Sequence, residues 1–334
     1  MADNTLSTSG ASSQTNPLAR PLNGATPVQL AILLATYNGA QSLAQQLESY
    51  RTQHRQPDLI LVSDDGSTDE TRLILTRFAA QNPGLNLHVI NGPCRGAAQN
   101  FLHLFRNTPA WVDVVALSDQ DDVWLPEKLH TGLEALDRVK TPDSPLLYCG
   151  RSWECGSDLQ NRTLSRGMPR PASFRHALVQ NVAGGNTMML NRPALALLRA
   201  ASHEARKIVV HDWWAYQIIS GAGGRILFDD IPQILYRQHS QNLIGANRGL
   251  AAKKKRLKFL VSGRFRRWNT LNIKALTASA HRLTPENHAL LNRFARDRNR
   301  SLLPRLRLIW NAGLYRQGLA GTLSLYLAAL LRRF

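Results

Sequence analysis

The chain has 334 residues, 43% of them hydrophobic, enough to build the core of one large domain or two ordinary ones, which excludes a wholly disordered or fibrous protein. Its formal charge of +18 is unevenly placed: residues 1–247 carry 21 basic and 21 acidic side chains, whereas residues 248–334 carry 20 basic and only two acidic ones, Glu286 and Asp297. Three cysteines without a C-x-x-C pair exclude a disulfide framework and a zinc or redox motif of that kind, and suit a reducing cytosol.

The first 27 residues are rich in Ser, Thr, Asn, Gly and Pro and lack the basic-then-apolar order of a signal peptide, so a disordered lead-in is expected. From Val28 to Lys140, short apolar runs alternate with helical periodicity, the pattern of a parallel sheet with covering helices. Leu30–Ala35 reads as a buried strand, and Leu43, Leu47 and Tyr50 then recur on one helical face. Leu59–Val62 is a second strand. Ser67 and Glu70 after it have the spacing of a capping box, predicting a helix through Leu73, Ile74 and Phe78 with Ser67 as its N-cap. Leu87–Ile90 and Val112–Leu117 supply two more strands, with a helix over Ala97–Arg106 between them. No Walker A, G-x-G-x-x-G or H-E-x-x-H motif is present. No run reaches the roughly 17–25 apolar residues of a spanning helix. Gln317–Leu331 comes nearest, flanked by Arg316 and Arg332, and suits an interfacial or core helix.

The polar clusters share one position. Thr36-Tyr37-Asn38 follows the first strand, Asp64-Asp65-Gly66-Ser67 the second and Asp119-Gln120-Asp121-Asp122 the fourth. In an open parallel sheet the strand carboxyl ends emerge on one edge, so clusters scattered in sequence converge on one crevice. Three carboxylates within four residues repel one another unless a cation intervenes, and Mg²⁺ or Mn²⁺ suits carboxylate oxygen shared with substrate phosphates. A solvated acidic turn before the helix start at Pro126-Glu127 is the plainer alternative. Asp65 at a strand end can accept the imide N–H of uracil or thymine, or can simply belong to a turn and cap.

The runs LLATYNGA, VSDDGSTDET and ALSDQDDVWLPEKL, continued by NVAGGNTMML, VVHDWWAYQIIS and YRQHSQNLIG, resemble the family 2 glycosyltransferases, and within them the bacterial rhamnosyltransferase-like branch of O-antigen and surface-polysaccharide assembly. The resemblance spans roughly Val28 to Gly245. It implies a GT-A fold, a Rossmann-like α/β architecture whose mixed, mostly parallel sheet has helices on both faces. It also implies an inverting enzyme that uses a nucleotide-diphospho-sugar and Mg²⁺ or Mn²⁺. Carried over, it makes Tyr37 and Asp65 contacts of the nucleobase, flanked by Thr36 and Asn38. Asp121 and Asp122 become the metal–diphosphate motif, with Asp122 the firmest ligand and Asp119 near sugar or metal. Asp212 matches the general base and His239 a late metal ligand. Where many relatives carry Ala-Arg-Asn, this chain has Ala98-Gln99-Asn100, so the arginine contact to the diphosphate has no counterpart at that position, and Arg95 can substitute for it. Asp122 sits in a loop, so its replacement is expected to abolish transfer and spare the fold.

Inversion at an anomeric carbon needs a base on the face opposite the leaving group, a role worth on the order of 10²–10⁴ in rate. Asp212 can fill it while also capping a helix over Trp213–Ile219. Paired Gly184 and Gly185 permit close backbone approach or positive φ, and Asn186 can reach sugar hydroxyls. Trp213 and Trp214 can offer a sugar-stacking platform, though adjacent aromatics on a helix point apart and one belongs to the core.

Residues 248–334 read as a basic amphipathic helical region, marked by Lys253-Lys254-Lys255-Arg256, Arg264 to Trp268 and the Leu319–Leu331 run. Cations with amphipathic helices fit the anionic inner face of a plasma membrane, which places a cytoplasmic, peripherally attached enzyme near a lipid-linked saccharide acceptor. Phosphate binding alone does not require the leucines, so nucleic acid is not the expected partner. The same helices can instead only pack on residues 28–247, the expected catalytic domain. A sugar-phosphate nucleotidyltransferase is the other enzyme reading, but the Gly-rich basic loop it needs after the first strand is replaced by Ala35-Thr36-Tyr37-Asn38. The expected donor is dTDP-L-rhamnose, with UDP-sugars as the alternative class.

Overall fold

The computed structural model describes residues 28–139, 141, 143–238 and 262–334. The expected N-terminal tail, His239, Lys253 to Arg256 and the expected domain boundary at 247/248 lie outside the described residues.

In chain order the elements are β1 (Leu30–Thr36), α1 (Leu43–Arg51), β2 (Leu59–Asp64), α2 (Thr71–Gln81), β3 (Leu87–Asn91), α3 (Ala97–Asn107), β4 (Val114–Ser118), β5 (Val123–Trp124) and α4 (Lys128–Asp137). There follow β6 (Leu146–Gly150), β7 (Trp153–Cys155), β8 (Thr163–Leu164), α5 (Phe174–Ala177), β9 (Met189–Asn191), α6 (Arg192–Glu204), α7 (His211–Gly221), β10 (Arg225–Asp229) and β11 (Ile234–Arg237). The C-terminal part is helical: α8 (Arg264–Ala278), α9 (Pro285–Asp297), α10 (Leu302–Asn311) and α11 (Leu319–Leu330).

The main sheet has the strand order β10-β6-β9-β4-β1-β2-β3. β1 pairs in parallel with β2 on one side and β4 on the other, while β9 runs antiparallel between β4 and β6. The chain therefore leaves β1 toward β2 and β3 and returns to the far side at β4, which makes the β1/β4 boundary the switch point where a ligand crevice opens. A smaller sheet, β5-β11-β7-β8, pairs β5 antiparallel to β11 and so brings Tyr236 and Arg237 beside the turn that follows β4.

Alternation along β1 divides the interior in two. Ala31, Leu33 and Ala35 face one core with α3, α6 and α7, and Leu30, Ile32 and Leu34 face the other with α1, α2 and α4. All of β1 is buried, so its near-continuous apolar run is that of a strand covered on both faces. Phe265, Leu276, Leu291, Phe294 and Leu308 of the C-terminal helices belong to the first of these cores. The basic region thus continues the interior that supports α7.

Two expected helix starts differ. α2 begins at Thr71, and Ser67 is not its cap; the Ser67 hydroxyl donates to Asp64 Oδ1 at 2.5 Å and accepts the Asn38 N–H at 2.9 Å. A strand-end carboxylate outcompetes the helix for that hydroxyl. α7 begins at His211, which places Asp212 inside its first turn, where a carboxylate favours the helix dipole without occupying the N-cap.

Candidate active site

The loops after β1 and β2 are tied together. Asn38 adopts a left-handed backbone with φ 48° and accepts the Thr68 N–H on Oδ1 at 2.8 Å. Asp64 receives the Thr36 hydroxyl at 3.0 Å and Arg72 Nε at 2.7 Å; burial acts to raise its pKa, but these bonds and those from Ser67 together hold it below the usual carboxylate range. Asp65 is buried and accepts the backbone N–H groups of Cys94 and Gly96, each at 2.7 Å. It therefore fixes the loop that presents exposed Arg95. Tyr37 is 57% exposed on the rim.

Gln120 links this rim to the acidic turn. Its side-chain amide accepts the Tyr37 N–H at 2.8 Å and donates to the Tyr37 carbonyl at 3.0 Å. A Cβ at Gly39 would lie 2.4 Å from Gln120 Oε1, so only glycine leaves room for that side chain.

Asp122 is fully buried. Its Oδ1 accepts the Arg237 N–H at 3.1 Å, its Oδ2 accepts Asn186 Nδ2 at 2.5 Å, and its own N–H donates to Gln46 Oε1 at 2.9 Å. The guanidinium of Arg237 reaches around the turn to the Asp121 carbonyl at 2.9 Å and to Gln45 at 2.6 Å. The expectation that a loop position makes Asp122 dispensable to the fold therefore needs correction: it is an anchor held from α1, β11 and the turn before β9. Beside it, Lys128 Nζ is buried 4.3 Å over the Trp124 ring without a hydrogen-bond partner among the described residues. Burial lowers this amine to about 7, against the opposing attraction of Asp122.

Asp119 and Asp121 are half-buried beside this anchor. Burial, and then repulsion from Asp122, Asp121 and Asp212, pushes the Asp119 carboxyl well above its ordinary range; burial and Asp121 raise Asp122 to about 7. Asp212 is raised to about 6 by burial, which outweighs hydrogen bonds from the Trp213 N–H, the Asn181 side chain and the Gly185 N–H. Tyr236 lies among all four: burial, Asp119, Asp122, Asp121 and Asp212 each raise its phenol. Asp119, Asp121, Asp122 and Asp212 thus form one electronegative cluster, although Asp212 is 90 residues from Asp122 in the chain.

The Gly184-Gly185-Asn186 turn contributes by close approach. A Cβ on Gly185 would meet His211 Nε2 at 2.2 Å, and Asn186 is buried with its amide given to Asp122. Trp213 and Trp214 are both core residues, 4% and 0% exposed, so neither offers a sugar platform; Trp213 Nε1 donates to the Ala177 carbonyl at 2.7 Å. Gln120, Arg237, Gln46, Lys128 and Tyr236 are the site residues that motif reading did not single out.

Among the described residues no three His, Cys, Asp or Glu side chains close a metal site by themselves. The donor chemistry nevertheless fits a hard divalent ion, because a cation would offset the burial and mutual repulsion that together push the Asp119 carboxyl up, and such ions complete their shell with water and substrate phosphate.

A mostly parallel sheet with one antiparallel strand, and carboxylates gathered where β1 and β4 part, defines the GT-A class of nucleotide-sugar-dependent transferases. A family model described as "Glycosyl transferase family 2" matches residues 31–204, more than half of the chain, and the protein belongs to that family of glycosyltransferases. The dTDP-rhamnosyl transferase RfbG of Shigella flexneri is 28% identical over 232 residues, covering 67% of this chain and 78% of that protein. The crystal structure of S. aureus TarS 1–349 with UDP-GlcNAc superimposes with a TM-score of 0.51 at 14% identity, covering 86% of this chain and 93% of that one. The same fragment with UDP gives 0.50 at 15%, covering 81% and 71%. At such identities the TarS structures establish a shared fold. No helix among the described residues is long and apolar enough to cross a membrane.

Proposed function

We propose that this glycosyltransferase moves L-rhamnose from dTDP-rhamnose, with inversion, to a lipid-linked saccharide in O-antigen or related surface-polysaccharide assembly. The observation that carries the transfer chemistry is the cluster of Asp119, Asp121, Asp122 and Asp212 around Tyr236 at the β1/β4 switch point. The name of the RfbG relative supports the donor.

The diphosphate is held beside Asp119 and Asp121, with Asp122 fixing the turn from behind. Mg²⁺ or Mn²⁺ bound there supplies charge neutralisation at the leaving group. Thr36, Tyr37, Asn38 and Asp65 flank the thymine, and Arg95 on its Asp65-tethered loop offers a cation to the phosphates. Asp212 Oδ takes the proton of the acceptor hydroxyl as that oxygen attacks the anomeric carbon. A carboxylate raised to about 6 is still ionised near neutrality yet more basic than an ordinary aspartate. The basic region keeps the enzyme on the anionic inner face of the membrane, where such an acceptor resides.

Calorimetry with dTDP-rhamnose, dTDP and UDP-sugars, with and without Mn²⁺, tests this reading. Metal-strengthened binding of the dTDP ligands is expected. Preference for a UDP-sugar removes the rhamnosyl assignment, and transfer at full rate in EDTA removes the metal.

A further inference from the structure

Among the described residues, 13 large apolar side chains are exposed, and eight of them lie between Leu302 and Leu331. A soluble surface normally scatters such residues. Here they are ordered. Leu319, Leu323, Leu327 and Leu330 are spaced by four, four and three residues, which places them within about 80° of arc on α11. The opposite side of α11 buries Leu325, Ala328 and Ala329 in the core. On α10, which packs against α11, Leu303 and Trp310 are two turns apart and 63% and 78% exposed, while Leu308 and Ile309 are buried. Two neighbouring helices thus each carry an outward apolar stripe.

The charge around these stripes has one sign. From Arg298 to Phe334 the sequence contains seven arginines and no Asp or Glu. Arg307 and Arg332 are exposed; burial, and then repulsion from Arg332 and Arg266, lowers the pKa of Arg305. The Arg305 Nε is buried without a hydrogen-bond partner among the described residues.

We propose that the outward face of α10 and α11 is the surface that docks on an anionic bilayer, with the α11 leucines, Leu303 and Trp310 entering the acyl boundary and the flanking arginines pairing with lipid phosphates. The inference rests on the membrane reading above and deepens it, by assigning the contact to this face instead of to the lysines at 253–255. Charge complementarity selects the occupant. A second copy would bring two arginine clusters together, and nucleic acid would leave the leucines wet. An anionic lipid surface satisfies both halves at once. At 12 residues, about 18 Å, α11 is too short to span and lies in the plane.

The test compares full-length protein, its Leu323→Glu/Leu327→Glu variant and its Arg307→Gln/Arg332→Gln variant in sedimentation with vesicles of phosphatidylcholine alone or mixed with phosphatidylglycerol. Wild type is expected to bind the mixed vesicles and to be only partly released by high salt. The glutamate variant is expected to lose affinity by about tenfold or more, and the glutamine variant to lose mainly the salt-sensitive part. Because the four positions are solvent-facing, circular dichroism and melting should be unchanged. Brominated acyl chains should quench a fluorescence component that Trp310→Phe removes. If wild type binds while the glutamate variant binds equally and Trp310 is not quenched, the face assignment is overturned and the membrane reading stands. If wild type ignores anionic vesicles, both fall. If the glutamate variant abolishes a concentration-dependent dimer instead, the face is an interface between copies and the assignment is overturned.

Discussion

Asn186 donates its side-chain amide to Asp122 Oδ2 at 2.5 Å, and the backbone N–H of the preceding residue, Gly185, is given to Asp212. One short turn therefore holds a carboxylate of the acidic motif and the carboxylate proposed as base. Replacing Asn186 should disturb both. Asn186→Ala leaves a buried Asp122 oxygen unpaired, with an expected loss of about 1–3 kcal/mol. Asn186→Asp sets two buried carboxylates together and should be worse at pH 8 than at pH 5. Equal melting of the two variants at pH 8 would contradict this electrostatic account.

The acidic turn should separate by burial. Asp122→Ala removes acceptors from Asn186 and Arg237 and is expected to lower the melting temperature as well as abolish transfer. Asp121→Ala, at a half-buried position, should melt close to wild type while losing Mn²⁺-dependent donor binding. Calorimetry and thermal melts on both variants decide the assignment.

Asp212 gives a pH signature. Its raised pKa means that the base is protonated below about pH 6, so kcat should rise with pH through that value and level off above it. Asp212→Asn keeps an oxygen for the Trp213 N–H but cannot accept the proton. Donor affinity should persist while kcat falls by about two orders of magnitude or more. A retained acid limb in this variant would assign that limb to another group.

His176 makes a separate prediction about stability. Its Nδ1 lies 2.9 Å from the Tyr216 hydroxyl, and its ring stacks on Tyr315 with centroids 5.3 Å apart. Burial, chiefly, lowers its pKa from 6.5 to about 4, so the unfolded chain binds more protons between those values. Stability from this group is complete above about pH 6.5 and is lost as pH falls toward 4, by on the order of 3 kcal/mol. Urea unfolding of wild type and His176→Phe at pH 7.5 and pH 5 measures it. Between these two pH values the variant should be less sensitive to acid than wild type by about 2 kcal/mol, because only the stretch from 6.5 down to 5 is crossed.

The strands were legible because their apolar runs are nearly unbroken. Leu30–Ala35 and Leu59–Val62 fall inside β1 and β2, with the polar clusters at their carboxyl ends as expected. β9 was not legible: Met189–Asn191 is three residues long, too short to show a period, yet it is the antiparallel strand that brings the Gly184-Gly185-Asn186 turn to the acidic motif. Gln120, Gln46 and Arg237 were hidden for a related reason. Their partners lie 83, 76 and 116 residues away, and no local pattern encodes a side chain whose purpose is to hold a distant backbone group. Ser67 shows local chemistry misleading in the other direction, since its capping spacing was overruled by a carboxylate that only the tertiary fold places beside it.

The interior shared by the C-terminal helices and α7 bears on modularity. Trp268 of α8 meets Trp213, the neighbour of Asp212, edge to face at 6.1 Å, and Glu204 at the end of α6 is clasped by Arg282. The C-terminal helices are thus a buttress of the catalytic half. Grafting another enzyme's C-terminus after residue 261 would replace part of the wall behind Asp212, so recombination between relatives should tolerate crossovers in the rim loops far better than at this seam.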